Sequence, residues 1–521
     1  MIITIDEGTT STRALLVDKD GKILFTEQEE ITQHYPKPGW VEHDANQIWI
    51  KTLGCVRKLI KKTLQAKIAT KDDFEAIAIT NQRETTIIWD PKTGKPVHNA
   101  IVWQCRRTAD YCKEIESQKI AGDIELKTYI KSKTGLQIDA YFSATKIKWL
   151  LDNHCQDIEL DKLSPGELMF GTIDTWLIWN LTLGREFSTD STNASRTMLY
   201  DIYENKWDEN LVKFFGIPKE MLPEVKASNA DYESSPLFKD LIDKELPIKA
   251  VMGDQQAALY AYNNEAKITY GTGTFVLIPG KVKKESDIAK GSFSETIQGE
   301  RANVAGNERE SIFVEEKSSN QGLLESIAYT KENDDNYQAY GLEGSIFVGG
   351  SIVQWLRDEL DFIASTAEVE KLANKVKDNG GVYLIPALAG LGAPFWRGDV
   401  RGSIFGITRG TNRAHIARAA LESIAFRVRD VFEALDDETR NSITAINVDG
   451  GASQNDTLLQ FQADLLNLTV RRYKETEMTA LGTAKMTGLV DLKLELDKEF
   501  KAQDNLDSSY QEWKKYIDCL L

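Results

Sequence analysis

The stretch Ile2-Ile3-Thr4-Ile5-Asp6-Glu7-Gly8-Thr9-Thr10-Ser11-Thr12 opens the chain, and Lys267-Ile268-Thr269-Tyr270-Gly271-Thr272-Gly273-Thr274 opens its second half. In each, a short β-prone run meets a Gly/Thr turn. A second apolar run follows, Arg13 to Val17 in the first case and Phe275 to Ile278 in the second. Lys19-Asp20-Gly21-Lys22 then signals another hairpin before Ile23-Leu24-Phe25. Two such hairpins predict a duplicated protein whose boundary falls near Asn263-Asn264, with halves 1–263 and 264–521.

Between the hairpins, β-like and helical segments alternate. Phe74 to Thr80 and Ile248 to Met252 read as strands, and Asn46 to Gln65 and Ala144 to Asp152 carry helical apolar spacing. The second half repeats this, with strands at Val382 to Ile385 and Ala445 to Val448 and helices at His415 to Leu435 and Thr457 to Leu466. The class is α/β with mixed sheets. Lys283 to Glu316 is polar and Gly-dotted, and is predicted to be an exposed insertion, peripheral to the chemistry. Leu492 to Leu521 reads as helical and charged.

The whole chain agrees with this division. It has 521 residues, of which 41% are hydrophobic and 27% charged, and this excludes global disorder, collagen and coiled coil. A formal net charge of −17 disfavours nucleic acid and anionic membrane as partners but leaves local anion sites open. No apolar run is long enough for a membrane span, and MIITIDEGTT has neither the basic start nor the apolar core of a secretory signal. Five scattered cysteines point to a reducing, cytoplasmic setting.

Gly21-Lys22, Gly94-Lys95 and Gly280-Lys281 all lack a following Ser or Thr, so there is no P-loop. The protein-kinase, zinc-hydrolase and serine-hydrolase signatures are also missing. What remains is a set of small-residue turns: Gly8-Thr9-Thr10, Gly271 to Thr274, Gly349-Gly350-Ser351 and Gly450-Gly451-Ala452. Such turns let backbone N–H groups approach a phosphate, and the last precedes a helix whose N-terminus would face an anion. Together they predict a nucleotide held in a cleft. Asp6 ends a strand beside one turn, where a Mg²⁺-phosphate needs a hard oxygen. Asp254 follows another strand and is either a helix N-cap or a general base. Asn81-Gln82-Arg83-Glu84-Thr85-Thr86 places donors and acceptors side by side, as a polyol requires.

These residues resemble the glycerol-kinase branch of the FGGY carbohydrate-kinase family, in the actin-like ATPase superfamily. The resembling stretches are DEGTTSTR from Asp6, NQRETT from Asn81, AIVWQCRRT from Ala100, IDAYF from Ile138, GTIDTW from Gly171, NASRTM from Asn193, GDQQAAL from Gly253, YGTG from Tyr270 and VDGG from Val448. Gly402 to Glu422 is similar to the family's C-terminal signature, and the resemblance covers nearly the whole chain. YGTG and VDGG mark the superfamily alone. NQRETT with AIVWQCRRT separates this branch from xylulose and gluconate kinases.

The resemblance implies two ribonuclease-H-like domains with a central cleft, and ATP-dependent phosphorylation of glycerol with Mg²⁺. A kinase for another small polyol or ketose, or a catalytically weakened relative, is the alternative. Arg83, Glu84, Tyr141, Asp254 and Gln255 would hold the glycerol hydroxyls, with Trp103 and Phe275 walling its carbons and Asp254 as base. Thr9, Thr10, Ser11 and Arg13 would face the phosphates, with Asp6 and Asp254 at the metal. Thr272, Gly350, Gln354, Gly451 and Asn455 would hold the nucleotide from the second domain. A homodimer or homotetramer is also implied. Four features depart from the family pattern: Glu7 stands where the family has Gln, the helix after Asp254 is short, Lys283 to Glu316 is added, and the C-terminal region is shortened. Glu7 would repel the triphosphate, unless strand alternation turns it away into solvent.

Overall fold

Ile3 and Ile5 face one side of the first strand and Ile2 faces the other, and both sides are buried. That burial explains a nearly unbroken apolar run where a half-exposed strand would alternate. The computed structural model describes residues 1–156, 158, 163–164, 166–284, 320–332 and 337–521. Numbering only the strands of the two main sheets, β1 (Ile2–Glu7) pairs antiparallel with β2 (Ser11–Val17), and β2 with β3 (Ile23–Glu30). On its other side β1 runs parallel to β4 (Ala76–Asn81), and β4 runs parallel to β5 (Leu246–Gly253).

The second sheet repeats the pattern. β6 (Lys267–Tyr270) pairs antiparallel with β7 (Thr274–Lys284). Beyond β7 lie β9 (Tyr337–Ile346) and then β8 (Leu324–Lys331). On the opposite side β6 runs parallel to β10 (Ala445–Asp449), and β10 to β11 (Thr469–Tyr473). The shared orders, β3-β2-β1-β4-β5 and β9-β7-β6-β10-β11, give each half a hairpin pair followed by two parallel strands.

Helix α1 (Ala45–Gln65) covers the face of Ile3 and Ile5 with Ile48, Val56, Leu59 and Ile60. The side chain of Asp44 caps it by accepting from the backbone N–H groups of Asn46 and Gln47. Helix α2 (Asp254–Ala261) follows β5 directly. In the second half, α3 (Ser351–Asp358), α4 (Arg413–Glu433) and α5 (Asp456–Leu466) pack on the sheet, and α6 (Met478–Met486) follows β11. The two equivalent helices, α2 and α6, meet between the sheets. A Cβ at Gly482 would lie 1.8 Å from the carbonyl oxygen of Ala257, so the crossing needs glycine there. Asn263 and Asn264, at φ 54° and 62°, make the turn from α2 into β6.

One expectation changes and one falls outside the described residues. Leu492 to Leu521 is not one helical segment. Leu496–Phe500 is strand β12, antiparallel to β11 at the sheet edge, and helix α7 covers Asp507–Asp518. Cross-strand charge explains it: Arg471 donates to Glu499 at 3.1 Å and Arg472 to Asp497 at 2.7 Å. The segment predicted as an insertion, Lys283 to Glu316, lies outside the described residues from 285 onward. All five cysteines are free, four of them buried.

Candidate active site

The carboxyl ends of β1, β4 and β5 lie side by side, with Asp6 level with Thr80 and Gly253 level with Asn81. Ligands of open α/β sheets bind at this edge. Alternation along β1 sends Asp6 and Glu7 to opposite faces. Asp6 faces α6, where it accepts from Arg13 and from the Thr479 hydroxyl at 3.3 Å. Glu7 lies under α1, fully buried, accepting from Thr52 Oγ1 at 3.1 Å. Burial pushes its carboxyl up to about 8, because Thr12 and Thr52 compensate only in part. Glu7 is therefore neutral near pH 7 and faces away from the Gly8-Thr9-Thr10 turn. It is neither the repelling charge nor the solvated side chain expected from sequence. Arg13 also pairs with Glu477, which ties the first hairpin to the start of α6.

Arg83 stands at the centre of the cluster that sequence offered as a polyol site. Its Nε lies 3.2 Å from Asp254 Oδ1, Nη1 donates to Gln256 Oε1 at 3.0 Å, and Nη2 reaches the Tyr141 hydroxyl at 3.5 Å. Gly253 makes room for it, since a Cβ there would lie 2.7 Å from Arg83 Cδ. Asp254 is the first residue of α2 and not its cap. Its Oδ1 accepts from Gln255 N at 2.7 Å, and its side chain keeps 29% exposure while those of Arg83 and Glu84 keep 2%. Burial pushes the Asp254 carboxyl up to about 6, against the pull of Arg83.

Glu84 is held in the left-handed region at φ 61° by three donors to its carbonyl: Lys146 Nζ and Ser143 Oγ at 3.2 Å, and Thr86 Oγ1 at 3.1 Å. Lys146 also donates to the Tyr141 carbonyl at 2.5 Å, and burial pushes its ammonium down to about 8. Gln255 Oε1 accepts from buried Lys267 at 2.5 Å. Trp103, Tyr141 and Phe275 form the apolar wall, with Trp103 edge-on to Tyr141 at 5.7 Å and to Phe275 at 6.0 Å.

On the second sheet, the turn at Thr272 meets Gly349 and Gly350, whose N–H groups donate to the carbonyls of Thr272 and Gly271 at 2.8 Å. Gly350 caps α3, which carries exposed Gln354. Gly450 has φ 85°, and a Cβ there would lie 2.6 Å from the Tyr270 carbonyl oxygen, so the strand end and the turn touch. Asn455 caps α5 through Leu458 N at 2.8 Å. Thr10, Thr272, Gln354 and Gly451 are exposed.

Sequence reading assigned no role to four buried residues: Glu343, Arg196, Lys146 and Lys267. Arg196 donates through Nε to Glu84 Oε1 at 2.7 Å. A lone Glu in Tyr340-Gly341-Leu342-Glu343-Gly344 was a usable signal, because a charge in an apolar strand demands a partner. Lys146 gave no signal within its helix. Two strand-end carboxylates, Asp6 and Asp254, suit an ion such as Mg²⁺ that keeps phosphate and water oxygens for its other positions. Among the described residues no group of three or more His, Cys, Asp or Glu could hold a metal. No helix there is long and apolar enough to cross a membrane.

A carboxylate beside an Arg and an aromatic wall, set between two like sheets with small-residue turns, is a sugar- or polyol-kinase arrangement. The comparisons agree. Residues 1–261 match the N-terminal domain of the FGGY family of carbohydrate kinases and 266–489 its C-terminal domain. The chain belongs to that family. It is 45% identical to the glycerol kinase of Petrotoga mobilis, over 99% of this chain and 97% of that one. It is 46% identical to that of Carboxydothermus hydrogenoformans, over 94% and 89%. Among solved structures it is similar to Plasmodium falciparum glycerol kinase with ADP, at 32% identity and a TM-score of 0.79, over 100% and 98% of the two chains. Xylulose kinase of Lactobacillus acidophilus, at 21% identity and a TM-score of 0.78 over 99% and 97%, shares the fold.

Proposed function

We propose that this protein transfers the γ-phosphoryl group of ATP to glycerol, giving sn-glycerol 3-phosphate and ADP, with Asp254 as general base. Arg83, Glu84, Tyr141 and Gln255 bind the glycerol hydroxyls, and Trp103 and Phe275 enclose its carbons. Asp254 accepts the proton of the attacking hydroxyl as its oxygen bonds to the γ-phosphorus and the bond to the ADP oxygen breaks. Thr9, Thr10, Ser11 and Arg13 face the phosphates. Thr272, Gly350, Gln354, Gly451 and Asn455 hold the nucleotide. Mg²⁺, when bound, neutralises phosphate charge, and Asp6 and Asp254 would hold it. The halves divide at 263/264, and closure about that turn excludes water.

The observation that carries this reading is Asp254 itself. It is the partly exposed carboxylate of the cluster, 3.2 Å from Arg83, whose guanidinium also reaches Tyr141 of the aromatic wall. Free cysteines support a cytoplasmic setting. The weakened-relative alternative loses its main motive, because Glu7 does not face the phosphate turn. An ADP-release assay with glycerol, dihydroxyacetone, erythritol and xylulose tests the reading. Glycerol is expected to give the highest kcat/KM, and preference for another polyol would transfer the assignment to that substrate.

A further inference from the structure

Glu343 belongs to the second sheet, on β9, yet both its oxygens are used by the glycerol side of the first half. Oε2 accepts from Arg83 Nη1 at 2.6 Å, and Oε1 from Arg83 Nη2 at 3.0 Å and Arg196 Nη2 at 3.1 Å. Ser345 Oγ completes the set at 2.5 Å. The side chains of Glu343, Arg83 and Arg196 are 1%, 2% and 0% exposed.

We propose that Glu343 is a positioning residue for Arg83, so that the glycerol site is complete only while the second sheet is packed against the first half. This rests on the glycerol-kinase reading above. The two-point grip fixes the plane of the Arg83 guanidinium, leaving Nε directed at Asp254 and Nη2 at Tyr141. Arg196 is set by the same carboxylate and in turn holds Glu84. One anion from the second sheet thereby orients two glycerol-side residues, Arg83 and Glu84.

Without it, two buried guanidiniums would share Glu84 and Asp254, and Arg83 has Asp254 within 3.2 Å to swing toward. Burial opposes the charged form of Glu343, yet Arg196 and Arg83 hold its carboxyl down to about 2, which keeps the grip ionic throughout the working pH range. β9 and its neighbour β8 have further ties to the first half besides Glu343. Gln338 on β9 donates to the Ile202 carbonyl at 2.7 Å, and Gln256 reaches the Ile327 carbonyl on β8 at 3.3 Å.

The test is steady-state kinetics on the full chain carrying Glu343→Gln or Glu343→Asp, varying glycerol and ATP separately. Glu343→Gln should raise the glycerol KM roughly tenfold or more, with the ATP KM within about twofold. Glu343→Asp, which retains the charge, should recover part of the loss. If Glu343→Gln does not fold, Ser345→Ala is the milder probe, and a severalfold rise in the glycerol KM supports the role. An unchanged glycerol KM, or equal rises for both substrates as a merely structural ion pair would give, overturns it. An unmodified enzyme inactive on glycerol overturns the glycerol reading, and this inference with it.

Discussion

The indole Nε1 of Trp103 donates to the hydroxyl of Thr9 at 2.9 Å. The aromatic wall is thereby tied to the Gly8-Thr9-Thr10 turn, and on the proposed reading each substrate's surroundings would depend on the other's.

Trp103→Phe keeps an aromatic wall and removes this tether. A hydrogen bond contributes about 0.5–1.5 kcal/mol net, or roughly two- to tenfold in an equilibrium constant. The KM values for glycerol and ATP should both rise within that range. A rise for glycerol alone would mean that the ring acts only as a wall.

Asp254→Asn should lower kcat by about 10²- to 10⁴-fold while MgATP binding, followed by calorimetry, persists. The base acts as a carboxylate, and burial sets it at about 6. kcat/KM for glycerol should therefore fall as pH drops through about 6 and level off above it. Initial rates across that interval show the acid limb, which the variant should lack.

Glu7→Gln should leave the ATP KM unchanged at low and high salt, because Glu7 lies beneath α1 away from the turn. Its effect is expected on stability. The folded carboxyl titrates near 8 against an ordinary value of 4.5. Glu7 costs nothing below the ordinary value, and stability is lost as pH rises from there through about 8. The variant should thus be more stable than the parent at pH 7, by up to about 3 kcal/mol, and indistinguishable near pH 4. Thermal unfolding at both pH values measures this.

Replacing residues 285–316 with a short Gly/Ser link should leave kcat and both KM values within a few-fold. β7 starts at the Thr272 turn and runs eleven residues to Lys284, roughly 33 Å at about 3.3 Å per residue. Lys284, where the described strand ends, is therefore far from that turn. Loss of turnover in a folded variant would place the segment at the active site or at an essential interface.

The two Gly/Thr hairpins, the parallel strands and the long helices were legible because each rests on local chemistry. Glycine permits the turns, β-branched runs form strands, and apolar residues recur every three or four positions in the helices. NQRETT could be read as a polyol site because its donors and acceptors lie adjacent in the chain, whereas roles for Gln255 and Trp103 came only from the family resemblance. The C-terminal strand β12 was not legible, since Asp497, Lys498 and Glu499 put three charges in a row at its centre and it is set by pairing with Arg471 and Arg472. Sequence alone thus determined the element types outside the C-terminal strand, the duplication and the chemistry of the candidate groups. Tertiary structure decided the neighbours. It turned Glu7 into the interior and Asp6 toward α6, because side chains alternate along a strand buried on both faces. It also brought Glu343 across 260 residues onto Arg83, because two sheets with the same strand order pack through equivalent helices. No local pattern encodes contacts of that separation.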